Sequence, residues 1–493
     1  MRNLSKSKII AFRQCPKKLW LELHKPEFRD DSKSEIVFNI GYEVGDMARA
    51  IYDPEGAGVI IDIDALGHGE ALARSATILA QGDAPVFEAG LKIEGALAYA
   101  DVMLPDRSDG TLRWRMIEVK SSTSVAAYHL DDIAVQSYIA ITSGVCLASV
   151  SLAHIDNSFV YQGDGEYQGL LREVDLTTKT VSRADEVRQW IADARVVASL
   201  AGEPDVATGS QCTRPFTCGF CDYCNRDKIH PEYPLSILPN LHFRRRELFE
   251  SEGYKDIREV PDDQLNPLQR RVKQCSVSGD VFFDAVGAAA DLARHGFPAY
   301  FLDFETVSFA VPRWKGSRPY QQIPFQFSLH RLDEPGNVAH YAFLDLSGED
   351  PSEVLAQSLI NKCGHEGPVF AYNASFENSR IRELATSYPE LAHALNSIAE
   401  RIVDLLPIAR NHYYHPSQQG SWSIKAVLPA LCPELSYGHL GGVKSGDMAV
   451  EVFTEAIKPE CTLERKREIE QQLLDYCKLD TYAMVRLWQI FRG

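Results

Sequence analysis

The sequence predicts an α/β protein of two domains joined by a small helical region. Three observations predict it. The chain has 493 residues, too long for one ordinary core. Two separate stretches each place carboxylates on short apolar strands and then run into a helix. Between them lies CTRPFTCGFCDYC, in which Cys212, Cys218, Cys221 and Cys224 fall within thirteen residues. Pro215 and Gly219 make this a turn-rich loop. Thiolates crowded in this way repel one another unless a metal or cluster takes up their charge. Far upstream, Cys15 in FRQCPKKLW is a fifth candidate. If it completes the set, everything between is closed into one domain. The expected boundaries are 1–226, a connecting region at 227–295, and 296–493.

Composition narrows the function classes. At 45% hydrophobic and 24% charged residues, the chain is of ordinary globular composition. The polar start MRNLSKSKII predicts no signal peptide, and no apolar run reaches spanning length, so the expected place is the cytoplasm, away from membranes. Eleven cysteines then favour metal ligation over disulfides. The net charge of −17 argues against binding nucleic acid by bulk attraction. It leaves site-directed binding open, because carboxylates that hold divalent metals add negative charge which bound ions cancel.

In the first half, residues 5–24 read as helix interrupted at Pro16, and 35–52 as a second helix ended by Pro54-Glu55-Gly56. A VIIDI strand and a helix over about 70–80 follow. VFEAGLKIEGALAYAD is expected as two strands joined around Glu94-Gly95 and ending on Asp101. WRMIEVKSS returns as an apolar strand, and the next helix carries Gln136 and Tyr138. The strand period of two puts Glu118 and Lys120 on one face. Asp101 and Glu118 are candidate ligands for Mg²⁺ or Mn²⁺, and Lys120 is placed to orient water or steady phosphate charge.

These motifs, in this order, resemble the RecB-type branch of the PD-(D/E)xK nucleases, with a restriction-endonuclease-like core. The resemblance runs from Leu4 to about Arg226. It is closest to the cysteine-bearing members, the AddB-type domain and the CRISPR-associated iron–sulfur exonuclease. It implies catalytic roles for Asp101, Glu118 and Lys120, with Gln136 in support. It also implies a [4Fe–4S] cluster held by Cys15, Cys212, Cys218 and Cys224, with Cys221 as a spare or alternative ligand. Members often carry a histidine in a Gly-x-x-x-His context. Here Gly41-Tyr-Glu-Val-Gly45-Asp46 has none, leaving Asp46 or Glu43 as candidates, with a solvated helix face the plainer reading for Glu43.

The connecting region has the cadence helix, Gly-turn, Pro-turn, helix. An interdomain spacer is the plainer reading. Backbone binding of nucleic acid through Arg244, Arg245 and Arg246 is the sharper one.

From Pro298 the second half begins. In AYFLDFETV, Asp303 and Glu305 share one strand face. A basic loop, RWKGSRP, leads to a second strand. FAYNASFE is a buried strand running into a helix that bears Glu377. RIVDLLPIARNHYY carries Asp404. In the last helix Tyr476 and Asp480 stand at i and i+4. Such carboxylates converge to hold two metal ions, with Tyr476 placed to position the water. The order resembles the ribonuclease-H-like DEDDy exonucleases, and implies catalytic roles for Asp303, Glu305, Glu377, Tyr476 and Asp480. Glu377 stands where aspartate is usual, and its extra methylene moves the carboxylate by about 1.5 Å where Mg²⁺ demands exact geometry. The fusion as a whole resembles an uncharacterised bacterial family in which glutamate is usual there.

The sequence therefore predicts a metal-dependent deoxyribonuclease. An exonuclease acting on single-stranded or unwound ends is expected, its partner DNA with single-stranded or duplex ends, with Tyr320, Phe325, Phe376 and Trp422 as candidate base-stacking residues. Ser421, Ser423 and Lys425 are candidates to touch the phosphate backbone, and repair or defence proteins are expected partners. The competing reading is a nucleic-acid-binding scaffold whose cysteines hold zinc.

Overall fold

A computed structural model describes residues 3–30, 34–228, 231–334, 336–435 and 437–493. The chain divides into two units: residues 1–228 with 309–321, and residues 229–308 with 322–493.

The first unit is built on one mixed sheet. Its elements are β1 (Leu4–Ser5), α1 (Lys6–Gln14), α2 (Pro16–His24), α3 (Ser34–Tyr52), β2 (Val59–Ile60), α4 (Ile63–Gln81), β3 (Val86–Ile93), β4 (Ala96–Asp106), β5 (Arg113–Lys120), α5 (Ala127–Thr142), β6 (Leu147–Ile155), β7 (Leu171–Asp175), α6 (Thr177–Val181), α7 (Ala184–Ala198) and α8 (Cys221–Asn225). The strand order is β2-β3-β4-β5-β6-β7, with β1 pairing β4. Pro16 at the first position of α2 breaks the early helix, and Cys15 sits between the halves in extended conformation, φ −164° and ψ 122°. Gly95 makes the β3–β4 turn at φ 89°, where a side chain would meet Arg195 within 3.0 Å. The strand reading of 96–101 is too short. β4 continues to Asp106, so Asp101 lies mid-strand beside β5. Likewise α4 begins at Ile63, capped by Asp62, and kinks at Gly67. Met103, Trp114, Ile133 and Val150 pack one core with α4, α5 and α7.

The second unit comprises α9 (Phe243–Ser251), α10 (Pro267–Ser278), β8 (Phe282–Phe283), α11 (Ala285–Ala293), β9 (Ala299–Val307), β10 (Ile323–Glu334), β11 (Asn337–Leu344), α12 (Ser352–Cys363), β12 (Val369–Ala371), α13 (Ser375–Ser387), α14 (Ala392–Glu400), β13 (Ile402–Asp404), α15 (Leu405–His412), β14 (Tyr413–Tyr414), α16 (Ile424–Leu431), α17 (Gly446–Ala456) and α18 (Leu463–Arg492). Its main sheet runs β11-β10-β9-β12-β13. β10 lies antiparallel to both β11 and β9, while β9, β12 and β13 are parallel. α18, capped by Thr462, buries Leu473, Cys477, Asp480, Met484 and Trp488 at helical spacing.

Two segments fall differently from the expected boundaries. Residues 229–295 do not stand apart as a connector: Leu235, Phe249 and Val272 share a core with Phe301, Trp422 and Trp488. Gly420 marks how tightly the segment is held, since a Cβ there would lie 1.8 Å from the Ile237 carbonyl oxygen. The basic loop between β9 and β10 belongs to the first unit. Tyr161 and Ser317 are joined by a backbone hydrogen bond of 3.0 Å, and Tyr167 Oη donates to the Pro312 carbonyl at 3.0 Å. Ala310 and Val311 are buried with Val44, Ile155 and Leu170. A loop that buries apolar residues and pairs its backbone in this way behaves as part of the unit it packs on.

Candidate functional site

In the first unit, the β4–β5 ladder pairs Val102 with Ile117, and Asp101 and Glu118 lie one step beyond that pair. Asp101 Oδ2 accepts from the Val119 amide at 2.7 Å. Lys120 Nζ donates to Glu118 Oε1 at 2.5 Å. Gln136, fully buried on α5, reaches the same place, and its Oε1 accepts from Lys6 Nζ at 2.6 Å. Asp101, Glu118, Lys120 and Gln136 are thus brought together. Two neighbours were not legible in the sequence. Lys6, at the start of α1, donates to Glu118 Oε1 at 2.7 Å. Asp132, one turn before Gln136 on α5, pairs with Lys120 at 2.8 Å and Lys6 at 3.5 Å. The i, i+4 spacing of Asp132 and Gln136 was the only available signal.

Burial, then the nearby Asp101, raises the Glu118 carboxyl to about 7. Burial also raises Asp101. Burial opposes the charge of Lys120, but Glu118 and Asp132 outweigh it and hold the ammonium well above its usual value. Glu118 Oε2 and Gln136 Nε2 are buried without a hydrogen-bond partner among the described residues. A carboxylate oxygen left bare at such a depth is what a divalent cation would complete.

In the second unit, Asp303 and Glu305 stand on one face of β9. Cys477 on α18 completes a compact donor group with them, all within 4.8 Å. Its Sγ lies 3.7 Å from Asp303 Oδ2. Asp480, one turn on, accepts from Tyr437 Oη at 2.5 Å. Burial, then Asp480, Glu305 and Glu377 in turn, pushes Asp303 well above the carboxylate range. Burial and Asp480 raise Glu305 to about 8. Burial raises Asp480 to about 6 and Glu377 to about 7. Glu377 Oε2 is buried with no hydrogen-bond partner among the described residues. Asp480 raises both Asp303 and Glu305 through space, and Glu305 and Glu377 add to the rise of Asp303, so the carboxyls gather unmet negative charge, the donor chemistry of a hard divalent metal.

The nearby cation is Lys425. Expected at the phosphate backbone, it instead donates to Tyr476 Oη at 2.9 Å. Burial and Asp480 push the Tyr476 phenol far above its usual value, so it acts as a hydrogen-bonding group and not as a phenolate. Tyr437, absent from the sequence reading, is the other phenol on Asp480. Asp404 caps α15, its Oδ1 accepting from Leu406 N and Asn373 N at 2.9 Å.

All five cysteines of the clustered set line one pocket together with Lys17 and Lys18. The loop is held to Cys15 by its neighbour: Gln14 Nε2 donates to the Gln211 and Phe216 carbonyls at 2.9 and 2.7 Å. Cys218 N donates to Cys212 O at 2.8 Å. Cys221 Sγ is turned onto the Cys212 carbonyl at 3.4 Å. Burial, then the charges of the other cysteines, raises the Cys221 thiol. Among the described residues, no three of these sulfurs lie within 4.8 Å of one another. Sulfurs on one tetrahedral zinc stand about 3.8 Å apart, given Zn–S bonds of about 2.3 Å.

Other expectations are corrected by packing. Phe325 is fully buried and stacks on Phe453 at 3.9 Å. Trp422 is buried, its Nε1 donating to Tyr413 O at 2.8 Å. Tyr320 donates its hydroxyl to the Ser121 carbonyl. Phe325 and Trp422 are closed into the core, whereas Tyr320 and Phe376 stay half-buried. Ser421 turns to Ser423, 3.3 Å away. Glu43 pairs with Arg313 at 3.2 Å and Asp46 with Arg49, so each carboxylate is taken up by an arginine. Arg246 pairs with Glu250, and Arg245 donates to the Gln264 carbonyl at 3.2 Å. Arg244 is left exposed, without a partner among the described residues.

A family model described as a domain of unknown function (DUF2779) matches residues 300–423. That span contains Asp303, Glu305 and Glu377 and stops short of Tyr476 and Asp480. An uncharacterized protein of Mycoplasma genitalium is 27% identical over 207 residues, 38% of this chain and 31% of its own length. Its homolog in Mycoplasma pneumoniae is 29% identical over 207 residues, with the same coverage of 38% and 31%. An uncharacterized protein of Ureaplasma parvum is 28% identical over 157 residues, 29% of this chain and 23% of its own length. The chain spans less than a third of the length of each of these relatives.

Proposed function

We propose that this protein is a metal-dependent nuclease that hydrolyses phosphodiester bonds of DNA, with a PD-(D/E)xK-like site in the first unit and a ribonuclease-H-like site in the second. The observation that carries this reading is the compact donor group of Asp303, Glu305 and Cys477, with the buried carboxyls of Asp480 and Glu377 acting on Asp303 and Glu377 Oε2 unpaired among the described residues. Asp101 and Glu118 in the first unit, and those four carboxylates in the second, would hold Mg²⁺ or Mn²⁺. Bound there, such an ion polarises phosphoryl oxygens and lowers the pKa of water.

The chain's own groups supply the rest. Lys120 donates to Glu118 Oε1 and Asp132 Oδ2, leaving one N–H for a phosphate oxygen. Gln136 braces Lys6 and so fixes the face of Glu118 that carries Oε1. Tyr476, held protonated by burial and Asp480 and oriented by Lys425, is a hydrogen-bond partner for water or a phosphate oxygen. The shared pocket of the five cysteines supports cluster ligation by Cys15, Cys212, Cys218 and Cys224. Cys221, turned to a carbonyl, is the spare.

The decisive experiment uses labelled single-stranded and duplex DNA with Mg²⁺ or Mn²⁺. Lys120→Ala and Asp303→Ala, made separately, should each remove the cleavage that belongs to its own unit. Both variants cutting as well as the parent would sink both assignments. A brown preparation absorbing near 400 nm is expected; a colourless one containing zinc would overturn the cluster.

A further inference from the structure

Lys6 is an ammonium lodged against Glu118, a carboxyl that the nuclease reading gives to the metal. The pairing of Leu4 and Ser5 with Ala96 and Leu97 fixes its backbone, and the Ser5 cap starts its helix. Its Nζ donates to Glu118 Oε1 at 2.7 Å and to Gln136 Oε1 at 2.6 Å, and forms an ion pair with Asp132 Oδ2 at 3.5 Å. Lys120 meets the same Glu118 oxygen at 2.5 Å. Two ammonium groups therefore share one oxygen of the glutamate, while its other oxygen is bare and buried.

A carboxylate that carries two ammonium groups is a poor ligand for a dication: the charges repel across a few ångströms, and one oxygen is already saturated. Lysine can leave such a place, since its flexible four-carbon stem lets a compact charge swing to a new anion. Lys6 keeps 17% of its side chain exposed, so an incoming phosphate can reach it. We propose that Lys6 is an exchangeable counter-ion that couples phosphate binding to metal binding in the first unit. It neutralises Glu118 until a nucleic-acid phosphate draws its ammonium away, and Asp101 and Glu118 then take a divalent metal at full affinity. Linkage makes the coupling reciprocal, so metal must tighten phosphate binding by the same factor. The inference rests on the nuclease reading of this site.

The test measures Mn²⁺ binding, not turnover. Full-length protein carrying Asp303→Asn, which silences the second unit, is titrated with Mn²⁺ and free Mn²⁺ is followed by paramagnetic resonance. The titration is repeated with a phosphorothioate-linked thymidine oligonucleotide. With Lys6 present, the oligonucleotide should tighten Mn²⁺ binding about ten-fold, within the usual range of coupling between sites. Lys6→Met and Lys6→Gln should bind Mn²⁺ tightly without the oligonucleotide, and the coupling should fall below two-fold. Variants that match the parent in both titrations overturn the role of Lys6. A parent that binds neither Mn²⁺ nor the oligonucleotide overturns the nuclease reading itself, and the two failures are told apart by that control.

Discussion

Asp303→Asn in the second unit tests the carboxylate pocket most sharply. Without metal, burial and then Asp480, Glu305 and Glu377 push Asp303 well above the carboxylate range, toward its neutral form. Asparagine copies the shape and charge of that form, so the metal-free fold should change by no more than about 1 kcal/mol. Metal binding should be lost. Mn²⁺ at 100 times its Kd stabilises a folded protein by about 2.7 kcal/mol. For a unit of about 250 residues, with about 2.1 cal/mol/K of unfolding entropy per residue, this raises Tm by about 5 °C.

The pH dependence has a definite sign. Glu305 is raised from the usual 4.5 to about 8. Its contribution to the metal-free fold is complete below about 4.5 and is lost as pH rises through 8. Metal competes with that proton. At pH 8 Glu305 is half ionised, and at pH 6 about 1% ionised, so Mn²⁺ binding should weaken about 50-fold at pH 6 and the gain should shrink to about 1 °C. Differential scanning calorimetry of parent and variant, with and without Mn²⁺ at both pH values, measures this. A gain that is the same at pH 6 and pH 8, or the same in Asp303→Asn, refutes the pocket as a metal centre.

Three further outcomes are expected. Cys15→Ser should bleach the preparation and speed proteolysis before residue 225; because Leu235 and Phe249 lie in the second core, the resistant fragment should begin near 230 and not near 290. Trp422→Ala should cost about 3–5 kcal/mol in chemical denaturation, as a buried indole does, whereas a ring that only stacked on bases would leave stability unchanged. Tyr320→Phe removes one hydrogen bond to the carbonyl that follows Lys120 and should cost the first unit about 1 kcal/mol, read from its thermal transition.

What was legible in the sequence is what local geometry encodes. Glu118 and Lys120 share a face by the period of two, as do Asp303 and Glu305, and Tyr476 and Asp480 share one by the helical turn. Each motif therefore carried its own evidence of convergence. Lys6 and Tyr437 reach the sites only through tertiary packing, and nothing in their immediate neighbours marks them. Lys6 lies 112 residues from Glu118, and Tyr437 lies 43 from Asp480. The aromatic residues failed for a related reason. Phe325 and Trp422 fit a stacking surface and a core equally well by composition, and only burial separates the two.

The boundary between units shows the same limit at a larger scale. The RWKGSRP loop reads as a polar excursion between two strands of one sheet, and by charge alone it would be given to solvent. Its apolar flank decides otherwise: Ala310 and Val311 have no core of their own strand pair to enter, and they are buried against Val44, Ile155 and Leu170. Arg313 then finds Glu43, and Tyr320 finds Ser121, next to Lys120. The strand that carries Asp303 and Glu305 is therefore continuous, through fifteen residues from Val307 to Gln321, with a segment that holds the carbonyl beside Lys120. Excising that loop to obtain either unit alone would remove part of the support of the first site, so activity must be assigned with point variants in the intact chain.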